Sequence, residues 1–360
     1  MLPTAPSPEF DLLRLAARGE LDPARARALT AAAAGALEWA DVLQRGSHHK
    51  LLPLLHAHLR THAGVPESVR ALLLARARAT SQQALFLLAE MARIGDRLRS
   101  EGLPFVILKG PSLADAYGGL AKRPFLDNDI LIDPESFPRV ERELLDLGFQ
   151  ERKRSALQQR GYLYVHGEYT FGRRVGPMGS TVDVHTRLAP FGYRYAPRVR
   201  DLLDRARDVP VAGSSVPAPS WEDTFVALCV NALKDQWDRL RLATDVAQVA
   251  DRVEDWDAVR RIARQFGVAR AVHLAVVLAA DVLDATFPDD VLGAARKDPR
   301  VARLARYVRH VWATDTPVSS ILDRAKLTLL VQDGLGGQLR YASYTVVRRA
   351  AERFVTPKGA

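Results

Sequence analysis

The chain has 360 residues, a formal net charge of +9 and one cysteine, which excludes an internal disulfide and any cysteine-based zinc site. It has no run of about 18 apolar residues, and its start, M-L-P-T-A-P-S-P-E-F, lacks a basic or apolar leader; the expected location is cytoplasmic, with no membrane partner. The length predicts two or three structural units, and the arginine-rich surplus favours phosphate-bearing partners without separating nucleotide from nucleic acid.

Residues 9 to 100 read as helical almost throughout, with breaks near Gly35, Gly46, Pro53 and Gly64-Val65-Pro66. The last of these helices is expected to begin at Thr80-Ser81, two N-cap residue types. From there Ala84, Leu87, Leu88, Met91, Ile94 and Leu98 recur at helical spacing up to Gly102. His48, His49, His56, His58 and His62 have no suitable carboxylate near them in sequence and read as surface histidines.

The next hundred residues change character. Phe105 to Leu108 reads as a strand, Lys109-Gly110 as a turn into a short helix, and Leu126 to Ile132 as a second strand. Pro134 to Leu147 predicts a helix with apolar Phe137, Val140, Leu144, Leu145 and Leu147, capped by Gly148. Tyr162–Val165 and Tyr169–Arg173 suggest a hairpin about His166-Gly167, and Thr181 to Thr186 a further strand. Pro210 to Ser220 reads as a connecting segment. From Trp221 onward the chain turns helical again, interrupted mainly at Pro317, Gly334-Leu335-Gly336-Gly337 and Pro357. Cys229 lies in the apolar run F-V-A-L-C-V and reads as a buried, inert thiol. The expected fold class is α+β. A small mixed-sheet core, residues 101–215, stands between an N-terminal helical region, 1–100, and a C-terminal helical domain, 216–360.

Asp127 and Asp129 are two residues apart in a strand, so both project from one face while Asn128 faces the other way. Carboxylates about 5 Å apart repel by on the order of 3 kcal/mol at an effective dielectric near 20, which calls for a cation or a shared proton. In T-V-D-V-H-T the same alternation puts Thr181, Asp183 and His185 together. If that strand lies beside the first, three carboxylates converge, as oxygen ligands of one or two Mg²⁺ ions would. The turn Lys109-Gly110-Pro111-Ser112 would aim free backbone N–H groups at an anion, with Lys109 as a point charge and Ser112 as a donor. Arg123 would add a bidentate fork, or else pair structurally with Asp127. His185 either orients Asp183 or is a satisfied core histidine. Lys234, Arg239, Arg241 and Asp245 either line the cleft or form a solvated helical face.

These residues resemble the DNA polymerase β type of nucleotidyltransferase superfamily and, within it, the bacterial family of uncharacterised nucleotidyltransferases. The resemblance lies in Leu108-Lys109-Gly110, Ala116-Tyr117, Arg123-x-x-x-Asp127-x-Asp129 followed by apolar residues, and Val182-Asp183-Val184-His185. It extends to Lys234, Trp237, Arg239, Leu240 and Asp245, and N-terminally to Leu51-Leu52-Pro53-Leu54-Leu55. It implies that Asp127 and Asp129 ligate metal, with Asp183 as a third ligand or a general base. Lys-Gly-Pro-Ser stands where the superfamily has a Gly-Ser turn, Asn128 where it has an apolar residue, and Asn231 where a histidine is expected.

The implied activity is Mg²⁺-dependent transfer of a nucleoside monophosphate from an NTP, with ATP the expected donor, to a hydroxyl of a small molecule, peptide or protein. The competing classes are an RNA-directed transferase or RNA-binding protein, with nucleic acid the less favoured partner, and an inactive nucleotidyltransferase fold used for binding.

Overall fold

The computed structural model describes residues 7–151, 163, 166–189, 192–314, 329, 331 and 334–355. Four short helices open it: α1 (Pro8–Ala16), α2 (Pro23–Ala33), α3 (Trp39–His48) and α4 (Leu52–Leu59). Ser7 and Asp22 cap the first two through their side chains, each ahead of a proline at the first helical position, where the missing N–H is harmless. No helix is long and apolar enough to cross a membrane among the described residues.

Helix α5 (Glu67–Ser100) runs unbroken for 34 residues. The helix start expected at Thr80-Ser81 is therefore not there. The Thr80 hydroxyl instead bonds back to the carbonyls of Arg76 and Ala77, the mid-helix use of a threonine that would otherwise cap. The apolar positions from Ala84 to Leu98 do form the buried face.

The central sheet has the order β1-β2-β5-β4-β3: β1 (Phe105–Ile107), β2 (Asn128–Ile132), β3 (Gln150–Glu151), β4 (Glu168–Val175) and β5 (Met178–His185). Only β2 and β5 run parallel; the other pairs are antiparallel, so the sheet is mixed. Helix α6 (Pro111–Ala116) joins β1 to β2, and α7 (Phe137–Asp146) follows β2 and ends before Gly148, whose φ of +86° suits glycine. Of the hairpin expected between Tyr162–Val165 and Tyr169–Arg173, the second arm belongs to β4, which pairs with β5 across a turn at Gly176-Pro177. Leu163 and His166 are helical, and Tyr162, Tyr164 and Val165 lie outside the described residues.

After α8 (Val199–Leu203), the segment read as a connection is a second small sheet, β6 (Arg207–Val211) against β7 (Ser214–Ala218). Ala212 and Gly213 make its turn at positive φ, as a tight hairpin requires. Val209, Val211, Val216 and Ala218 join the apolar core formed by Met91, Ile94, Phe105, Ile130, Phe171 and Val182. That burial makes strands of a Pro- and Ser-rich sequence.

The remaining helices are α9 (Trp221–Lys234), α10 (Leu240–Ala250), α11 (Trp256–Gln265), α12 (Ala269–Leu283), α13 (Asp289–Lys297), α14 (Pro299–Thr314) and α15 (Gly334–Val355). The glycine-rich run expected to interrupt the helices is the opening of α15, and Pro317 and Pro357 lie outside the described residues. A larger core unites Leu12, Leu13 and Leu55 of the first helices with Phe225, Trp237, Leu274 and Trp312 of the later ones. Cys229 is fully buried in it and its thiol is pushed far up by burial, as expected of an inert cysteine.

Candidate active site

The parallel pairing of β2 with β5 sets Asp129 directly opposite Asp183. Asp127 sits one residue before β2, exposed at its lip, while Asp129 is 9% exposed. The three carboxylates thus share one face of the sheet. Asn128 faces the other way, donating its amide to the carbonyl of Leu87 on α5 at 3.0 Å.

Each acid is held differently. The Nε2–H of His185 donates to Asp129 Oδ1 at 2.8 Å, and the ring's Nδ1 lies 3.6 Å from Glu168 Oε2. His185 therefore orients Asp129, one step diagonally across the strand pair, and not Asp183. Asp183 Oδ1 instead accepts the Thr170 hydroxyl at 2.5 Å from β4. Lys109 follows β1, whose ladder is extended by the N–H of Leu108 bonding the carbonyl of Asp129. Its ammonium donates to Asn231 Oδ1 on α9 at 3.1 Å.

The electrostatics separate the acids. Burial pushes Asp129 up, but Lys109, the bond from His185 and the charge of Lys234 outweigh it, leaving its carboxyl well below the usual carboxylate range. Burial also pushes Lys109 down, yet Asp129, Asp235 and Asp127 hold its pKa above the ordinary lysine value. Asp127 and Asp183 are both raised, by loss of surrounding water and by repulsion from Asp129, with the Thr170 hydroxyl opposing the rise at Asp183. Two raised carboxyls beside a permanently ionised one are a site short of positive charge.

Two expected members are elsewhere. Arg123 does not pair with Asp127; its guanidinium grips Asp245 of α10 in two bonds of 2.8 and 2.9 Å, with both side chains 7% exposed. The Tyr117 hydroxyl donates to the same carboxylate at 2.6 Å. This buried pair ties the loop before Asp127 to the helical core, so Asp245 is neither a cleft residue nor part of a solvated face. Ser112 is fully buried, its hydroxyl and carbonyl both taking Arg207 of β6, whose guanidinium stacks 3.5 Å from the Trp221 ring. The turn offers fewer free N–H groups than expected, none of them beyond Gly110. Pro111 has none, and those of Ser112, Leu113 and Ala114 bond the carbonyls of Lys109 and Gly110. Gly110 does need to be glycine: at φ +59° and ψ −115° its backbone passes so close to Phe125 that a Cβ would lie 3.3 Å from the ring.

Lys234 is half-buried on α9, its charge felt by Asp129. Arg239 pairs with Asp238 at 3.0 Å, just before α10. Lys50, overlooked in the sequence, lies on the other side: its charge acts on Asp127 and its backbone is left-handed at φ +57°, uncommon for a lysine. Thr170 was likewise overlooked, and Asn231 was noted only as standing where a histidine is expected, since no local pattern links either to the acids. The histidines read as a surface group do not all stay there. His49 is fully buried, and His58 bonds the carbonyl of Arg18 at 2.7 Å.

The profile of the uncharacterised nucleotidyltransferase family matches residues 35–284, spanning the whole sheet and the helices on either side of it. The chain belongs to that family. As a member of the nucleotidyltransferase family it is an enzyme of nucleotidyl transfer, and the matched range includes every residue described above for the site. Among solved structures, the chain is similar to an antigenic nucleotidyltransferase-like protein from Paracoccidioides brasiliensis, at 13% identity and a TM-score of 0.33, with 59% of this chain and 97% of that one covered. No curated protein matches the sequence.

Proposed function

We propose that this nucleotidyltransferase moves a nucleoside monophosphate from an NTP, ATP first among them, to a hydroxyl of an acceptor molecule, with Mg²⁺ held by Asp127 and Asp129. The observation that carries the reading is the in-register pairing of Asp129 with Asp183, with Asp127 on the same face. The donor set fits the ion: hard carboxylate oxygens, and two raised carboxyls awaiting positive charge. Among the described residues no three His, Cys, Asp or Glu side chains close around one point. That suits an ion held by two carboxylates and completed by water and phosphate oxygens. When bound, Mg²⁺ would neutralise charge on the phosphates and on the departing pyrophosphate.

The chain's own groups do the rest. Lys109 and Lys234 place positive charge beside Asp129, where a triphosphate would lie. His185 fixes the rotamer of Asp129. Asp183, with Oδ1 held by Thr170, accepts the proton of the acceptor hydroxyl as its oxygen bonds the α-phosphorus. The bond from that phosphorus to the β-bridging oxygen breaks, and pyrophosphate leaves.

The test is incubation with Mg²⁺, each labelled NTP and a mixture of hydroxyl-bearing small molecules and peptides. Pyrophosphate release is followed, and mass spectrometry seeks an acceptor heavier by one nucleoside monophosphate. Asp127→Asn and Asp129→Asn should each lower turnover by about a hundredfold or more. Equal turnover in those variants would sink the metal site, and a wild type that binds no NTP at millimolar concentration would sink the reading altogether.

A further inference from the structure

Beside the acids, α3, α4, α5 and the loop entering β2 enclose a cavity of about 490 Å³, a volume ordinary for a small-molecule site. Its walls are mainly apolar, and two large side chains on them are left open: Leu126, immediately before Asp127, is 61% exposed and Leu72 on α5 is 43% exposed. Exposed leucines lining one concave surface, one of them next to Asp127, are what a ligand would cover.

The polar groups in this cavity are the neutral Gln44, Ser47 and Thr80 and three cations, Lys50, Arg76 and Arg241, with no acidic side chain among the described lining. Lys50 and Arg76 are exposed residues, and neither side chain makes a direct hydrogen bond or ion pair among the described residues, although Asp127 and Asp238 attract the Lys50 charge from further off. Arg241 has only Asp245 at 3.9 Å, and Arg123 already occupies both oxygens of that carboxylate. Among the described residues no aromatic ring lines the cavity, so they offer no stacking platform for a nucleobase. Apolar walls with cations and no lining carboxylate instead fit an aliphatic body that ends in an anion.

We infer that this cavity is the acceptor site, and that the acceptor is a small hydroxy acid: an aliphatic chain lying on Leu72 and Leu126, a carboxylate toward Arg76, and a hydroxyl presented to Asp127 and Asp183. The inference rests on the nucleotidyl-transfer reading for its chemistry, but the binding site can be tested apart from it. The NTP then approaches from the Lys109 and Lys234 side.

Calorimetry on the full chain with 8-hydroxyoctanoate as the probe, with and without Mg²⁺ and a non-hydrolysable ATP analogue, decides it. The expected result is saturable one-to-one binding that the nucleotide does not compete away. Octane-1,8-diol, which lacks the carboxylate, should bind at least fivefold more weakly. Leu72→Asp should weaken the hydroxy acid at least tenfold and leave nucleotide affinity unchanged. Arg76→Ala should weaken the hydroxy acid while leaving the diol as it was, so either variant suffices if the other fails to fold. Absence of hydroxy acid binding, competition by the nucleotide, or equal affinity in the variants would overturn the assignment. Loss of nucleotide binding with hydroxy acid binding intact would strike the proposed function and spare the cavity.

Discussion

His185 touches the site through Asp129 alone, and its effect is that of a positioning residue. With Nε2–H donated to Asp129 Oδ1 at 2.8 Å, it removes one oxygen's freedom and would leave the other for the proposed Mg²⁺. Losing such an outer partner typically lowers metal affinity or activity by about 10- to 100-fold. His185→Ala should therefore raise the Mg²⁺ concentration needed for half-maximal turnover, with activity partly recovered at high Mg²⁺; a merely structural role would lower activity at every Mg²⁺ concentration alike. The three acids were legible in the sequence because strand alternation is a local rule that needs only β2 and β5 to be strands. Their partners were not. Asn231 meets Lys109 across 122 residues and Asp245 meets Arg123 across the same separation, and only tertiary packing brings them together. Arg123 was misassigned for that reason: a guanidinium near acids in sequence has no way of signalling that a more distant carboxylate, better placed and buried with it, will take both its donors.

At the level of elements, α5 serves three apolar clusters in turn. Val69 and Leu73 belong to the helical core, Ala84 and Leu87 to a small cluster with Phe125, and Met91, Ile94 and Leu98 to the core beneath the sheet. Its continuity through Thr80-Ser81 makes it the member that carries both Leu72 of the cavity and Leu87 behind Asn128. A proline placed at Ser81 discriminates the observed helix from one that starts there. At a first helical position proline is harmless, whereas in a helix interior it removes a hydrogen bond and clashes, costing about 3 kcal/mol or more. Ser81→Pro is thus expected to lower unfolding free energy in denaturant titration by that amount; an unchanged midpoint would mean the helix is broken there in solution. Strands β1, β2, β4 and β5 and helix α7 were readable from alternation and helical spacing, but the two-residue β3 was not. The β6–β7 hairpin was not, because its Val-Pro-Val and Ser-Val-Pro-Ala runs owe their burial to β1 and α5 and carry little strand preference of their own.

Across the whole molecule, the early and late helices share one core, and His49 is a seam between them. It is fully buried after α3, and its Nδ1 accepts the N–H of Leu240 at the start of α10 at 3.2 Å. Burial, then the charges of His48 and Arg45, push its pKa down to about 3, against about 6.5 for an unfolded histidine. Between those values the unfolded chain binds a proton that the folded chain refuses, so stability rises with pH. The contribution is fully present above about pH 6.5 and is lost progressively as pH falls toward the folded value, by about 2 kcal/mol between pH 7 and pH 5. His49→Asn keeps an acceptor near Nδ1 but cannot titrate. Urea unfolding at pH 7 and pH 5 should show the wild type losing about 2 kcal/mol more than the variant over that interval. Parallel losses would mean that His49 is protonated without opening the fold, and that the contact between α3 and α10 does not hold the two ends of the chain together.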